Sequence, residues 1–264
     1  MPRPLAAVLD ALERIAPLEL AEDWDNTGLI VESPDVREIE RCTLTIDLTE
    51  SVLDEVLANR SQLVVAYHPP WFRPLKRLGN DLAHERVLLR AIRAGLSIYS
   101  PHTALDAAHD GVNDWLCTAF TDAEREPIPS PTPNGIAIGR SVRLRSPMRL
   151  SECAETIKRH LGLDRVRVAA SDDHASGETI RTIALCAGSG GSIIGEQPAD
   201  LYWTGEMRHH DVLAALARGT SVILCDHTNT ERGYLPRLRE RLDRACEGVE
   251  FVIASADAEP LRIV

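Results

Sequence analysis

Residues 61–70 read Ser-Gln-Leu-Val-Val-Ala-Tyr-His-Pro-Pro. The four apolar residues Leu63-Val64-Val65-Ala66 have the length and β-branched character of a strand buried on both faces. His68 follows at once, and Pro69-Pro70 restrict the backbone just beyond it. The same order, an apolar run and then metal-ligand residue types, recurs twice. A strand predicted over 96–99 leads into His102-Thr103-Ala104-Leu105-Asp106, and one over 221–225 leads into His227-Thr228-Asn229-Thr230-Glu231. Helical periodicity lies between the strands, as in Val52, Leu53, Val56 and Leu57 over 50–59, and again over 82–94, 206–218 and 232–246. Alternating strands and helices predict an α/β fold with parallel-rich sheets. Ligands in such folds sit at the carboxyl ends of strands. The three stretches are therefore expected to converge on one metal site, and their imidazole and carboxylate donors suit Zn, Mn, Fe or Co.

Working outward, Leu5, Val8, Leu9, Leu12 and Ile15 recur at helical spacing. Strands are expected at 29–31, 44–46, 136–144, 165–170, 180–187 and 200–203, with a helix over 151–161. Asn113 is expected to cap a helix carrying Trp115 and Leu116. The stretch 126–135 holds four alternate prolines, which exclude a helix or a central strand. It is the expected junction between a first lobe, 1–125, and a second, 136–264. Residues 44–68 and 201–227 share a rhythm: strand, helix, strand, then histidine. That rhythm suits two similar lobes.

Each pair also has a plain structural reading. Asp106 has the position of a cap for a following helix, and Thr230 that of an N-cap with Glu231 in the first turn. Gly188-Ser189-Gly190-Gly191 follows a strand and reads as a tight turn or as a phosphate nest. Trp24-Asp25-Asn26 has no metal spacing and reads as a structural loop. His209 and His210 are adjacent on a helix and point about 100° apart, so they read as surface groups. Arg73, Lys76 and Arg77 form a basic cluster after His68 that suits a substrate phosphate or plain solvated charge.

The net charge of −11 argues against a nucleic-acid surface and against anionic membranes. No apolar stretch approaches the roughly 20 residues of a membrane span, and the N-terminus lacks the apolar core of a signal peptide. The six cysteines are scattered, without C-x-x-C spacing. They read as buried free thiols of a cytoplasmic protein.

Taken together, these motifs resemble the Nif-three-like dinuclear metal-centre family, also labelled GTP cyclohydrolase 1 type 2 homologues. The resemblance runs through Trp24-Asp25-Asn26-Thr27-Gly28-Leu29, Asp47-Leu48-Thr49, Tyr67-His68-Pro69-Pro70 to Lys76, and Tyr99-Ser100-Pro101-His102-Thr103 to Asp106. It continues through Gly111-Val112-Asn113, Ala199-Asp200, Thr204-Gly205-Glu206 and His209-His210-Asp211 to His227-Thr228-Asn229-Thr230-Glu231. It implies two intertwined, similar α/β lobes with a metal site in the cleft, assembled as a toroidal homohexamer. It places His68, Asp106, His227 and Glu231 on metal-ligand positions, with carboxylates able to bridge two divalent ions. His102 falls near the site as a proton shuttle or a supporting group. Many bacterial members have two adjacent histidines where this chain has Tyr67-His68, and the Tyr-His-Pro-Pro form resembles the eukaryotic branch. A phenol binds metal poorly before it ionises, so the second ion is expected to be held weakly. The resemblance also implies a metal-dependent hydrolase of a nucleotide or related small molecule, opening the guanine ring of GTP, with His102 or Glu231 moving protons. The rival expectation is a non-enzymatic metal-binding protein with transcription-associated partners.

Overall fold

The computed structural model describes residues 1–132 and 135–262. It is a mixed α/β protein of two compact units. One comprises Met1–Ala108 with Tyr234–Val264, and the other His109–Gly233.

The first unit is built on a five-stranded sheet. Its order is Glu250–Ile253, Arg41–Thr45, Leu63–Ala66, Ser97–Ser100, Gly28–Val31, with only the last pair antiparallel. Leu63–Ala66 is buried at every position, as its unbroken apolar run predicts. Val64, Ala66 and Ile98 pack against Val52, Leu53 and Val56 of helix Glu50–Ala58 and Val87, Leu88 and Ala91 of helix Ala83–Arg93. Helix Glu50–Ala58 starts where Thr49 Oγ1 accepts the Val52 N–H at 3.3 Å, a side-chain N-cap. Helices Leu5–Ile15 and Leu235–Ala245 also belong to this unit.

The second unit carries a six-stranded sheet. Its order is Ala123–Ile128, Gly139–Arg149, Thr179–Cys186, Leu201–Thr204, Ser221–Leu224, Arg167–Ala169. Its three central neighbours, from Thr179–Cys186 to Ser221–Leu224, run parallel. Helix Leu150–Leu161 buries Leu150, Cys153, Ala154 and Ile157 and stops at Gly162, whose φ of 68° is the left-handed end that glycine allows.

The units differ from the expected lobes in two ways. The final strand Glu250–Ile253 pairs in parallel with Arg41–Thr45, and so returns the C-terminal segment to the first unit. The proline-rich stretch lies inside the second unit. Its first residues end the edge strand Ala123–Ile128, where Pro127 needs to offer no ladder N–H. Pro133 and Asn134 of that stretch lie outside the described residues. Asn113 is not a helix cap. Gly111 precedes helix Val112–Cys117, and the fully buried Asn113 instead accepts the Ala187 N–H through Oδ1 at 2.8 Å. All six cysteines are free and buried, and burial pushes Cys117, Cys153 and Cys225 up to about 12, which keeps them protonated.

Candidate metal centre

In the first unit the strand ends act together. Thr45 and Ala66 are partners in the parallel ladder, and two residues further on Asp47 lies opposite His68. The extended register is held by Tyr67 N–H to Thr45 O at 2.9 Å and His68 N–H to Ile46 O at 3.0 Å. Asp47 Oδ1 is consequently 2.9 Å from His68 Nδ1. Tyr67, side by side with His68, points its hydroxyl at Asp106, donating to Oδ1 at 2.5 Å. Asp106 is buried, on helix His102–Ala107, which follows the strand Ser97–Ser100 directly.

His102 opens that helix at a φ of 26°, a left-handed backbone that costs a non-glycine residue about 1–3 kcal/mol. Asp25 holds it there. Both carboxylate oxygens of Asp25 lie 2.8 Å from His102 Nδ1, and Oδ2 also accepts from the Thr103 N–H at 3.1 Å and the Thr103 hydroxyl at 2.5 Å. Burial pushes the Asp25 carboxyl upward, but the bonds from His102 and Thr103 outweigh it and leave its pKa below the ordinary carboxylate value. The loop Trp24-Asp25-Asn26, read from the sequence as structural, thus anchors His102 and Thr103 through Asp25. The rings of Trp24, Tyr67, His68 and Phe72 surround His102 at centroid distances of 5.2–5.9 Å.

The second unit repeats the device. Thr204 and Leu224 are ladder partners, and Glu206 lies two residues past the first strand as Asp47 does. Glu206 Oε2 is 3.3 Å from His227 Nδ1, while His227 Nε2 is 3.4 Å from Glu231 Oε1. Glu231 is 2% exposed. It does not sit in the first turn of the following helix, because Thr228–Thr230 is a separate 3-10 turn and the helix begins at Leu235. Thr230 likewise is no N-cap; its hydroxyl accepts the Gly188 N–H at 2.8 Å and donates to His227 O at 2.7 Å.

The glycine turn is the tight strand-to-helix connection. The N–H of Gly188 is spent on Thr230 and that of Gly190 on Thr204 Oγ1 at 3.0 Å, so neither serves a phosphate nest. Gly188 has a φ of 58°, and a Cβ there would lie 2.6 Å from Glu231 Oε1 and 2.9 Å from His227 Nε2. The turn therefore backs directly onto the imidazole and carboxylate. His209 and His210 are exposed at the start of helix His209–Ala217, with ring centroids 5.4 Å apart.

The structure thus brings His68, His102 and Asp106 together in the first unit, and His227 and Glu231 in the second. Sequence reading passed over three partners: Asp25, Asp47 and Glu206. Aligning the predicted parallel strands 44–46 and 63–66 is the signal that places Asp47 beside His68. The donor set fits a divalent ion. In metal sites a ligating histidine donates its second ring N–H to a carboxylate or similar acceptor, which fixes ring and tautomer, and His68 and His227 each have such a partner at Nδ1.

Comparison with known proteins agrees with this architecture. The chain is 42% identical to the protein NIF3 homolog of Schizosaccharomyces pombe, covering 95% of this chain and 94% of that one. It is 33% identical to human NIF3-like protein 1, covering 98% and 92%. It is 35% identical to NGG1-interacting factor 3 of Saccharomyces cerevisiae, covering 98% and 96%. Among solved structures, a Bacillus cereus protein related to NIF3 superposes with a TM-score of 0.86 at 20% identity, covering 100% and 99% of the two chains. Reduced HcgD from Methanocaldococcus jannaschii superposes with a TM-score of 0.80 at 22% identity, covering 97% and 99%. The family model described as Duf34/NIF3 (NGG1p interacting factor 3) matches residues 4–260, and the chain belongs to that family.

Proposed function

We propose that the chain is a metal-dependent hydrolase of a nucleotide or related small molecule. In this reading His68, Asp106, His227 and Glu231 are the residues that hold divalent ions of the Zn, Fe or Mn type, two per chain. The observation that carries it is the paired device: Asp47 on His68 Nδ1 and Glu206 on His227 Nδ1, each two residues past a parallel strand. When bound, such ions act as Lewis acids and generate a nucleophile from water near neutral pH. The chain's own groups do the rest. Tyr67 orients the Asp106 carboxylate, His102 and Glu231 exchange protons with the reacting groups, and the exposed Arg73, Lys76 and Arg77 receive an anionic substrate.

Ring opening of GTP and hydrolysis across a nucleotide and phosphoester panel test the reading. Turnover that a chelator abolishes and added metal restores is the expected result. Metal-loaded protein inert across the whole panel would instead favour a metal-binding interaction protein. The name of the yeast relative, NGG1-interacting factor 3, supports that second reading. Six buried thiols fit a reducing compartment such as the cytoplasm. Among the described residues no helix is long and apolar enough to cross a membrane.

A homohexamer is proposed as the working assembly. Helix His209–Ala217 supports it by burying only Ala215 within this chain while leaving Leu213 half exposed. Light scattering on a sizing column should give about six times the 29.1 kDa chain mass, and a monomer at micromolar concentration would exclude the assembly.

Tyr67 sets the strength of the second ion. Its hydroxyl donates a hydrogen bond to Asp106 and a phenol must ionise to bind metal well, whereas a neutral imidazole at the same place would bind without first ionising. Tyr67→His should raise the affinity of the weaker class by at least about tenfold, or ~1.4 kcal/mol, in calorimetric titration of the metal-free protein. Tyr67→Phe, which loses the Asp106 bond without gaining a ligand, is the control. If Tyr67→His titrates like the wild type at both classes, Tyr67 does not face the metal.

A further inference from the structure

We propose that Asp25 is a positioning residue that holds His102 in the Nδ1–H tautomer, so that Nε2 is its proton-accepting atom. The inference rests on the proposed hydrolytic reading for where the proton comes from, though not for the tautomer itself.

The geometry is one-sided. Asp25 lies 2.8 Å from His102 Nδ1 through both oxygens, and its side chain is 0% exposed, so a carboxylate rather than water faces that nitrogen. An ionised carboxylate only accepts hydrogen bonds, so the imidazole must be the donor in this contact. Asp25 is itself fixed. Oδ1 accepts the Asn26 N–H at 2.8 Å, and Oδ2 takes both donors of Thr103. Asn26 is tied in turn through Nδ2 to Trp71 O at 2.9 Å. The ring can neither flip nor slide without breaking this set, and its backbone is held at the unfavourable φ of 26°. Among the described residues nothing hydrogen-bonds His102 Nε2, although the side chain is only 11% exposed.

The chemistry follows from the tautomer. A water attacking substrate loses one proton to His102 Nε2. The Nδ1 proton stays on the ring, and the positive charge of the resulting imidazolium is balanced by the Asp25 carboxylate 2.8 Å away. The proton then leaves from Nε2 to the departing group, restoring the starting tautomer. Asp25 touches neither substrate nor metal in this account and acts only through His102.

The test is long-range nitrogen–proton NMR of the imidazoles in metal-free protein, repeated with zinc as a diamagnetic probe. Wild-type His102 should show the Nδ1–H form in at least about tenfold excess. In Asp25→Asn, the two Thr103 donors claim the amide oxygen and turn the amide NH2 towards His102. The excess should therefore invert to the Nε2–H form, while zinc stoichiometry stays that of the wild type. Zinc should move the Nε2 resonances of His68 and His227 and leave that of His102 in place. A wild-type Nε2–H tautomer overturns the proposal even if the variant does not fold. So does a zinc-induced shift at His102 Nε2, or loss of zinc from a folded Asp25→Asn, since either makes His102 a ligand and not a base. If no histidine responds to zinc, the metal reading fails while the tautomer assignment stands on its own spectrum.

Discussion

Glu231→Ala should empty the metal centre. Elemental analysis of protein purified without chelator is expected to find Zn, Fe or Mn in the wild type and to lose most of it in the variant. Glu231 is 2% exposed and has its Oε1 3.4 Å from His227 Nε2, so its carboxylate is held in place before any ion arrives. Removing a group that merely orients a ligand costs about 10–100-fold in metal affinity. Removing a ligand from a preformed set should exceed the upper end of that range. Thermal stability supplies an independent readout. An ion at a hundred times its Kd stabilises the folded state by about 2.7 kcal/mol, which for a chain of this size raises Tm by roughly 5–10 °C. Metal should therefore raise Tm in the wild type and leave Glu231→Ala nearly unmoved. Glu231→Gln keeps the volume and removes the charge, so it separates lost ligation from lost packing. Full metal occupancy in either variant would take Glu231 out of the ligand set.

The order of strands and helices was legible because several central strands contain short apolar runs, of which Leu63–Ala66 is unbroken. Leu63–Ala66 and Leu201–Thr204 are buried at every residue, and between such runs the helical periodicity is unambiguous. Closure of the first unit was less legible. The strand Glu250–Ile253 begins with a charged residue, and only its pairing with Arg41–Thr45 makes it part of the sheet. The histidines could be found because they stand directly past strands. Their carboxylate partners could not be found by spacing, since Asp25 precedes His102 by 77 positions and Asp47 precedes His68 by 21. Those contacts come from ladder register and loop packing, which act across the sheet and leave no local period. Thr230 and Asn113 show the converse. Both are residue types that cap helices, and in both cases a nearby buried backbone N–H, of Gly188 or Ala187, is the partner that the fold supplies instead.

Gly205→Ala should be among the most destabilising single-methyl changes in the chain, and it should also disturb the metal centre. A Cβ at position 205 would lie 2.7 Å from Gly188 O, 2.8 Å from Asp226 O and 2.9 Å from His227 Cα. All three are backbone atoms, so no flexible side chain is available to move aside. The neighbouring register is held on both sides, by Glu206 N–H to Gly188 O at 2.9 Å and by Cys225 N–H to Thr204 O at 3.1 Å. Overpacking a tight site costs about 1–3 kcal/mol and sometimes more, and rigid backbone on three sides places this case at the upper end. Tm should fall by roughly 6–12 °C. Gly162→Ala is the comparison. Its φ of 68° carries a conformational penalty of about 1–2 kcal/mol, yet nothing lies within 4 Å of the added methyl, so it should cost less and leave metal affinity unchanged. In Gly205→Ala the backbone that must give way carries His227 and the Gly188 turn behind Glu231, so weaker metal binding should accompany the lower Tm. A Gly205→Ala protein melting within about 1 °C of the wild type would mean that these strand ends have slack. The close packing of Gly205 could not then be what aims His227 at Glu231.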